Sequence, residues 1–281
     1  MSNSCLICNS SYLKYPNYHG KRYIYCESCG LLQREPPIED SSANYTTINP
    51  TAAINRSKEQ LYNRTLDRVE RHLGRAGQVL DVGCGIGHFL LCAQKKGWQG
   101  IGVEPLNDQV RQAQAKNLEV YKGELKHLPE TFKNFDLITY WDVFMFVEHP
   151  LKELLEIKKR LAQHGILYLR IRNHTIVRYI DKLWNFGGKF CGFRNPAVFH
   201  PFNYEARTIQ EMCRITSLRC KVCNGALTAG DAYQVSHSVK KADFIKQIIW
   251  KFVIFAERLT RGKIILSPTL DVWIRKTQSC R

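Results

Sequence analysis

Three stretches of this chain carry residue types at spacings that could do chemistry. Cys5-Leu-Ile-Cys8 and Cys26-Glu-Ser-Cys29 are two CxxC pairs separated by the aromatic-rich run YLKYPNYHGKRYIY. Two residues between thiolates let both sulfurs reach one tetrahedral ion, and two such pairs complete a four-cysteine zinc site. Gly30, just after the second pair, supplies the backbone freedom for the turn back toward the sulfurs. Four thiolates leave no open coordination position, so the expected zinc is structural, and its binding would stabilise a segment too short for a core of its own. The second stretch is VLDVGCGIGHFL, Val79 to Leu90. It lacks the lysine and Ser/Thr of a triphosphate-binding P-loop, and His88 stands where the dinucleotide fingerprint has its third spaced glycine. Asp81 beside Gly83, Gly85 and Gly87 would repel a pyrophosphate and attract a cationic group. Glu104, at the end of the next apolar run, can accept hydrogen bonds from a ribose diol. The third stretch, WDVFMFVEHP, offers Trp141, Asp142 and His149.

The elements that position these residues alternate in type. NRSKEQLYNRTLDRVERHLG, with Leu61, Leu66, Val69 and Leu73 near helical spacing, predicts an amphipathic helix ended by Gly74. Strands are expected at Val79–Val82, Gly100–Glu104, Leu118–Lys122, Phe135–Tyr140 and Ile166–Arg172, with helices at Phe89–Lys96, Asn107–Lys116 and Leu151–Ala162 between them. Repeated strand–helix–strand order implies an α/β fold, a parallel sheet covered on both faces that binds ligands at the carboxyl ends of its strands. LRCKVCN and DAYQVSHSV, joined by GALTAGD, read as a closing hairpin, giving seven strands with the last antiparallel. Cys220-Lys-Val-Cys223 falls on the first of these; its side chains point to opposite faces, so it is structural.

Asp81-Val-Gly83-Cys-Gly85-Ile-Gly87 followed by Gly102-Val-Glu104 resembles, motif for motif, the class I S-adenosylmethionine-dependent methyltransferases, which have a Rossmann-like seven-stranded sheet. GELKHLP resembles the segment that flanks adenine, FDLITYWDV the fourth strand, GILYLRIRN the fifth, and HPFNYEARTIQEMCRI the histidine-containing segment before the last helix. With the CxxC…CxxCG ribbon ahead of it, the chain is similar to bacterial methyltransferases of glycans, small molecules and ubiquinone-type acceptors. The resemblance implies S-adenosyl-L-methionine as cofactor. Gly83, Gly85 and Gly87 would pack under its amino-acid portion, and Asp81 would hold its ammonium directly or through water. Glu104 would take the ribose, Glu124 and Leu125 would frame adenine, and Trp141 and Asp142 would line the pocket near the methyl group. One departure stands out: where relatives carry a Glu-His pair after the fourth strand, this chain has Met145 and Phe146, and Glu148-His149 lies farther along. Asp142, His200 and His149 are the candidate acid–base residues, with His174 a further one; a base is required only for an acceptor that must lose a proton.

The domains expected are a zinc ribbon over 1–36, a Pro/Ser/Asn/Thr-rich linker over 37–54, a methyltransferase domain over 55–239, and a tail over 240–281. Within the domain, the aromatic and basic insertion 173–200, with Lys189 and Arg194, would cap an acceptor. A net charge of +16 on 281 residues calls for an anionic partner without saying which. From Val239 on, ten Lys or Arg face three acids, and FIKQIIWKFVIFAERL reads as a basic amphipathic helix. It is too short and too charged to span a bilayer, but compatible with peripheral contact to an anionic membrane. Eleven cysteines and no secretory pattern indicate a reducing, cytoplasmic setting. The expected partner is a small-molecule or glycan acceptor methylated at a hydroxyl, phosphorylated or lipid-linked acceptors included. RNA methylation is the weaker alternative, because the positive charge concentrates in the tail; a noncatalytic cofactor-binding or zinc-scaffold protein is the other.

Overall fold

The computed structural model describes residues 4–18, 21–35, 52–186, 199–225 and 267–277, together with positions 255, 259, 260 and 265. Three strands open the chain: β1 (Leu13–Tyr18), β2 (Lys21–Tyr25) and β3 (Leu32–Glu35). Then come α1 (Ala52–Leu73), β4 (Gln78–Val82), α2 (His88–Lys95), β5 (Gln99–Glu104), α3 (Asn107–Gln114), β6 (Glu119–Lys122), β7 (Phe135–Trp141), α4 (Pro150–Arg160) and β8 (Leu161–Arg172). The chain continues through α5 (His174–Phe186), β9 (Phe202–Asn203), α6 (Ala206–Ile215), β10 (Leu218–Asn224) and β11 (Thr269–Lys276). The main sheet has seven strands in the order β10-β11-β8-β7-β4-β5-β6. β4 to β8 are parallel, and β11 runs antiparallel to both neighbours.

Side-chain alternation sorts the strands between two cores. Val79, Leu137, Ile166 and Tyr168 pack on Leu61, Leu66 and Val69 of α1, with Phe89 and Ala93 of α2. Their neighbours Leu80, Ile138, Leu167 and Leu169 pack on Leu154 and Ile157 of α4 and Ile209 and Met212 of α6. All seven residues of β7 are buried, as a central strand covered on both faces requires. Since β5 and β6 extend to one side of β4 while β7 returns to the other, the chain reverses direction between β4 and β7, where open α/β sheets place their ligands.

Two expected boundaries change. The strand that pairs with β10 is Thr269–Lys276, in register Leu218↔Lys276 through Asn224↔Leu270. The sheet therefore extends past residue 239, and the segment read as a tail contributes a strand to it. A buried Leu270, Val272 and Ile274 against β8 supply the physical reason: their alternation matches a central strand. DAYQVSHSV lies outside the described residues, as do Lys189, Arg194 and most of the amphipathic segment, of which Phe255 and Leu259 are described and exposed. The ribbon is likewise not a separate unit. β3 pairs with β9, Leu32↔Asn203 and Gln33↔Phe202, and Cys5, Ile7, Cys26 and Leu31 share the α4–α6 core. Tyr25 Oη donates to Glu205 at 3.0 Å, and Thr208 Oγ1 donates to the Cys29 carbonyl at 2.8 Å. Among the described residues no helix is long and apolar enough to cross a membrane.

Candidate cofactor and acceptor site

The glycine loop follows β4 directly, and its two ends take a left-handed, crowded conformation that favours glycine. Gly83 has φ +71°, and a Cβ there would lie 2.6 Å from Val143 Cγ2. Gly87 has φ +81°, and its Cβ would meet Leu118 Cδ1 at 2.2 Å. The Gly83 and Cys84 amides both donate to the Val103 carbonyl, which bends the chain over the end of β5. There Glu104, almost fully buried, receives the Gly85 amide on Oε2 and the Leu106 amide on Oε1, each at 3.0 Å. Burial raises its pKa while the two amides lower it. Two of the carboxylate's four lone-pair directions are used, so it retains acceptor capacity for a diol.

Asp81 is placed differently from a freely presented anion. It is 2% exposed, and Thr139 on β7 donates to its Oδ1 at 2.7 Å. Burial is the main reason its pKa is pushed up to about 8; Thr139 opposes the shift and nearby Glu104 adds to it. Its second oxygen is the one left for a ligand or a bridging water. Glu124 and the buried Leu125 follow β6, where the Glu124 amide donates to His127 Nδ1 at 3.0 Å and Lys126 pairs with the Glu124 carboxylate at 2.9 Å. A cavity of about 470 Å³ brings Gly83, Pro105, Glu124, Leu125, Val143 and His149 to a common wall. Gly83, Glu124 with Leu125, and His149 thus meet, while Trp141, Asp142 and His200 lie elsewhere around the end of β7.

Trp141 is core. Its ring packs against Tyr62 at 4.6 Å, Tyr168 at 4.7 Å and Phe89 at 5.3 Å, and its buried Nε1 has no hydrogen-bond partner among the described residues. Asp142 takes the left-handed conformation, φ 59°, which an aspartate tolerates. It lies 3.5 Å from Lys58 Nζ and 3.7 Å from Arg170 Nε. Burial pushes its pKa up, but Arg170 and Lys58 outweigh that and hold it below the ordinary carboxylate value. Arg170 is buried and also reaches Asp271 at 3.4 Å. An arginine inside the apolar run ILYLRI was the sequence signal for this ion group; Lys58 on α1 had none.

His200 and His149 part company. His149 is exposed at the start of α4, 3.9 Å from Glu148. His200 is held by its own backbone, which exchanges hydrogen bonds with the Asn203 side chain at 2.8 and 2.7 Å. Its Nε2 is buried without a partner among the described residues, its ring stands edge-on to Phe146 at 5.5 Å, and burial, with Arg172, pushes its pKa down to about 4. His174 shares the small void beside Met145, both its ring nitrogens unpartnered, and burial brings its pKa to about 3. Both histidines are neutral at physiological pH.

At the ribbon, the four cysteine sulfurs lie within 4.8 Å of one another, Cys5 to Cys29 at 3.6 Å and Cys8 to Cys26 at 3.4 Å. Tetrahedral Zn–S bonds of about 2.3 Å require sulfur separations of about 3.8 Å, so the donor set fits one zinc ion.

Residues 54–214, more than half of the chain, match the family model described as a methyltransferase domain. Among curated proteins the chain is similar to the 23S rRNA (uracil(1939)-C(5))-methyltransferase RlmD of Haemophilus influenzae strain Rd, at 29% identity over 153 residues, 50% of this chain and 33% of that protein. The chain thus spans about a third of the length of that relative. Among solved structures it is similar to a SAM-dependent methyltransferase of Thermotoga maritima, with 17% identity, TM-score 0.50, and 80% and 91% of the two chains covered. It is also similar to the plantazolicin methyltransferase BpumL in complex with SAH, with 14% identity, TM-score 0.52, and 81% and 86% covered. The chain belongs to the methyltransferase-domain family, and its seven-stranded sheet has the Rossmann-like fold of the class I S-adenosylmethionine-dependent methyltransferases.

Proposed function

We propose that this protein binds S-adenosylmethionine across the carboxyl ends of β4 to β7 and transfers its methyl group to a hydroxyl of a small-molecule or glycan acceptor. The observation that carries the reading is the Gly85 amide bound to Glu104 at the point where the sheet reverses direction. That contact joins a loop whose end glycines leave little room for a side chain to the acid that can hold a ribose. The bound cofactor supplies an electrophilic methyl group on a sulfonium. Attack on it is an in-line displacement, so orientation contributes most of the rate. Gly83 and Gly87 let the backbone approach the ligand, Leu125 gives adenine an apolar wall, and Asp142, kept ionised by Arg170 and Lys58, offers a fixed negative charge. His200, neutral and with Nε2 unpartnered, can accept a hydrogen bond from the acceptor's hydroxyl, while its low pKa makes it a weak proton acceptor. The ribbon holds a structural zinc through Cys5, Cys8, Cys26 and Cys29.

A second reading, RNA as acceptor, draws on the similarity to the 23S rRNA methyltransferase and on the charge of +16. Calorimetric titration with S-adenosylmethionine tests the premise common to both; folded protein without binding ends it. Radiolabelled-methyl transfer across nucleotide sugars, lipid-linked glycans, quinone precursors and RNA then separates the acceptors.

A further inference from the structure

Between α1 and the β10–β11 edge of the sheet lies a groove of about 550 Å³ that the methyl-transfer reading does not use. Its walls carry Arg68, Arg219, Lys221, Arg275 and Lys276 around Trp273, and among the described residues lining it none is acidic. The antiparallel register sets Arg219 opposite Arg275 and Lys221 opposite Trp273, so these four residues share one face of two adjacent strands. Like charges directly opposite in a ladder are destabilising. Arg68, Arg219, Lys221 and Arg275 are exposed, and none has a carboxylate partner among the described residues. The crowding extends to the margin, where Arg275 adds to burial in pushing the His72 pKa down. The Arg68 guanidinium carbon lies over the Trp273 ring, 4.4 Å from its centre, in cation–π contact. The groove opens toward the amino end of β8, since Arg275 pairs with Ile166, whereas the glycine loop lies at the carboxyl ends.

We propose that this groove binds a single-stranded nucleic acid segment through its phosphate backbone, with a base stacked on the Arg68–Trp273 pair. Unneutralised cations on two walls fit a chain of phosphates, and an arginine beside an indole suits stacking by any base. A bilayer is flat and reaches only the rim of a concave site. The site stands apart from the methyl-transfer centre and does not require the nucleic acid to be the methyl acceptor.

Fluorescence anisotropy of a labelled 20-nucleotide oligouridylate with the full-length protein, from 50 to 250 mM salt, tests it. Four phosphate contacts give a log–log salt slope of about −3, at about −0.7 per contact for single strands. The double variant Arg219→Glu/Lys221→Glu, both residues exposed, should weaken binding at least tenfold and roughly halve the slope. Lys14→Glu/Lys133→Glu makes the same change in net charge at exposed sites elsewhere and should leave both within twofold. Circular dichroism melts establish that each variant is folded. Absence of binding at 50 mM salt, or equal loss in both variants, overturns the proposal. So does a groove variant that loses binding to phosphatidylserine vesicles while keeping RNA affinity.

Discussion

Lys58 Nζ stands 3.5 Å from Asp142 Oδ2, so α1 is tied to the end of β7 by an ion pair beside the candidate acceptor site. Arg170 approaches the same carboxylate from within the sheet. Together they turn a group that burial would make less acidic into one more acidic than usual. A depressed carboxylate pKa stabilises the fold above its unfolded value of about 3.9 and loses that contribution as pH falls through the lower folded value. Thermal melts of Asp142→Asn should therefore differ from the parent by a constant amount above about pH 5 and converge toward it in strong acid. A gap that is unchanged at pH 2 would show that the ion pairs do not set this carboxylate.

Glu104 is the residue on which the loop and the proposed ribose contact both depend. In Glu104→Gln an amide N–H would face one of the two backbone N–H donors, from Gly85 and Leu106. Leaving a buried donor unpaired costs about 1–3 kcal/mol. The expected result is that loss in stability by urea unfolding and at least a tenfold weaker calorimetric affinity for S-adenosylmethionine. Unchanged affinity in a folded variant would remove Glu104 from the cofactor site.

Asp81, with a folded pKa of about 8, binds a proton in the native state where the unfolded chain has lost it. Its effect on stability is complete below about pH 4, the unfolded value, and is lost as pH rises through 8. Asp81→Asn should flatten the fall in melting temperature between pH 5 and 9. If the second Asp81 oxygen meets the cofactor's ammonium, binding ionises the group. Titrations at pH 7 in buffers of different ionisation enthalpy should then report close to one proton released, and none in Asp81→Asn.

The order of elements could be read from the chain because apolar runs and helical spacing alternate so regularly between Val79 and Arg172. The glycine loop and Glu104 were legible for a sharper reason, since left-handed turns and an acid at a strand end leave few chemical options. Three features were not legible. Thr269–Lys276 was hidden by its distance from β10 along the chain, and strand pairing over such a distance has no local signature. Asp81 gave no sign of turning toward Thr139, because that depends on which residues of two parallel strands come level, Asp81↔Thr139. Trp141 read as pocket wall because its place in the motif carries no information about Tyr62, which arrives from α1 to bury it.

The ribbon makes the last prediction, because its knuckles and the catalytic domain share one core. Arg207 reaches the Ser28 carbonyl at 3.3 Å and the Tyr25 hydroxyl at 2.6 Å, and Arg178 lies over the Tyr25 ring while pairing with Glu205 at 3.2 Å. Loss of zinc would therefore unpair β3 from β9 and leave the buried Glu205 short of partners. Metal analysis should find one zinc per chain, abolished in Cys26→Ser. Because each 1 kcal/mol moves the melting temperature by about 2–4 °C in a domain of this size, chelation should lower the single transition by about 10 °C or more. Melting of the ribbon alone, with the sheet domain's transition unmoved, would show that the shared core and the Glu205 contacts do not couple the two.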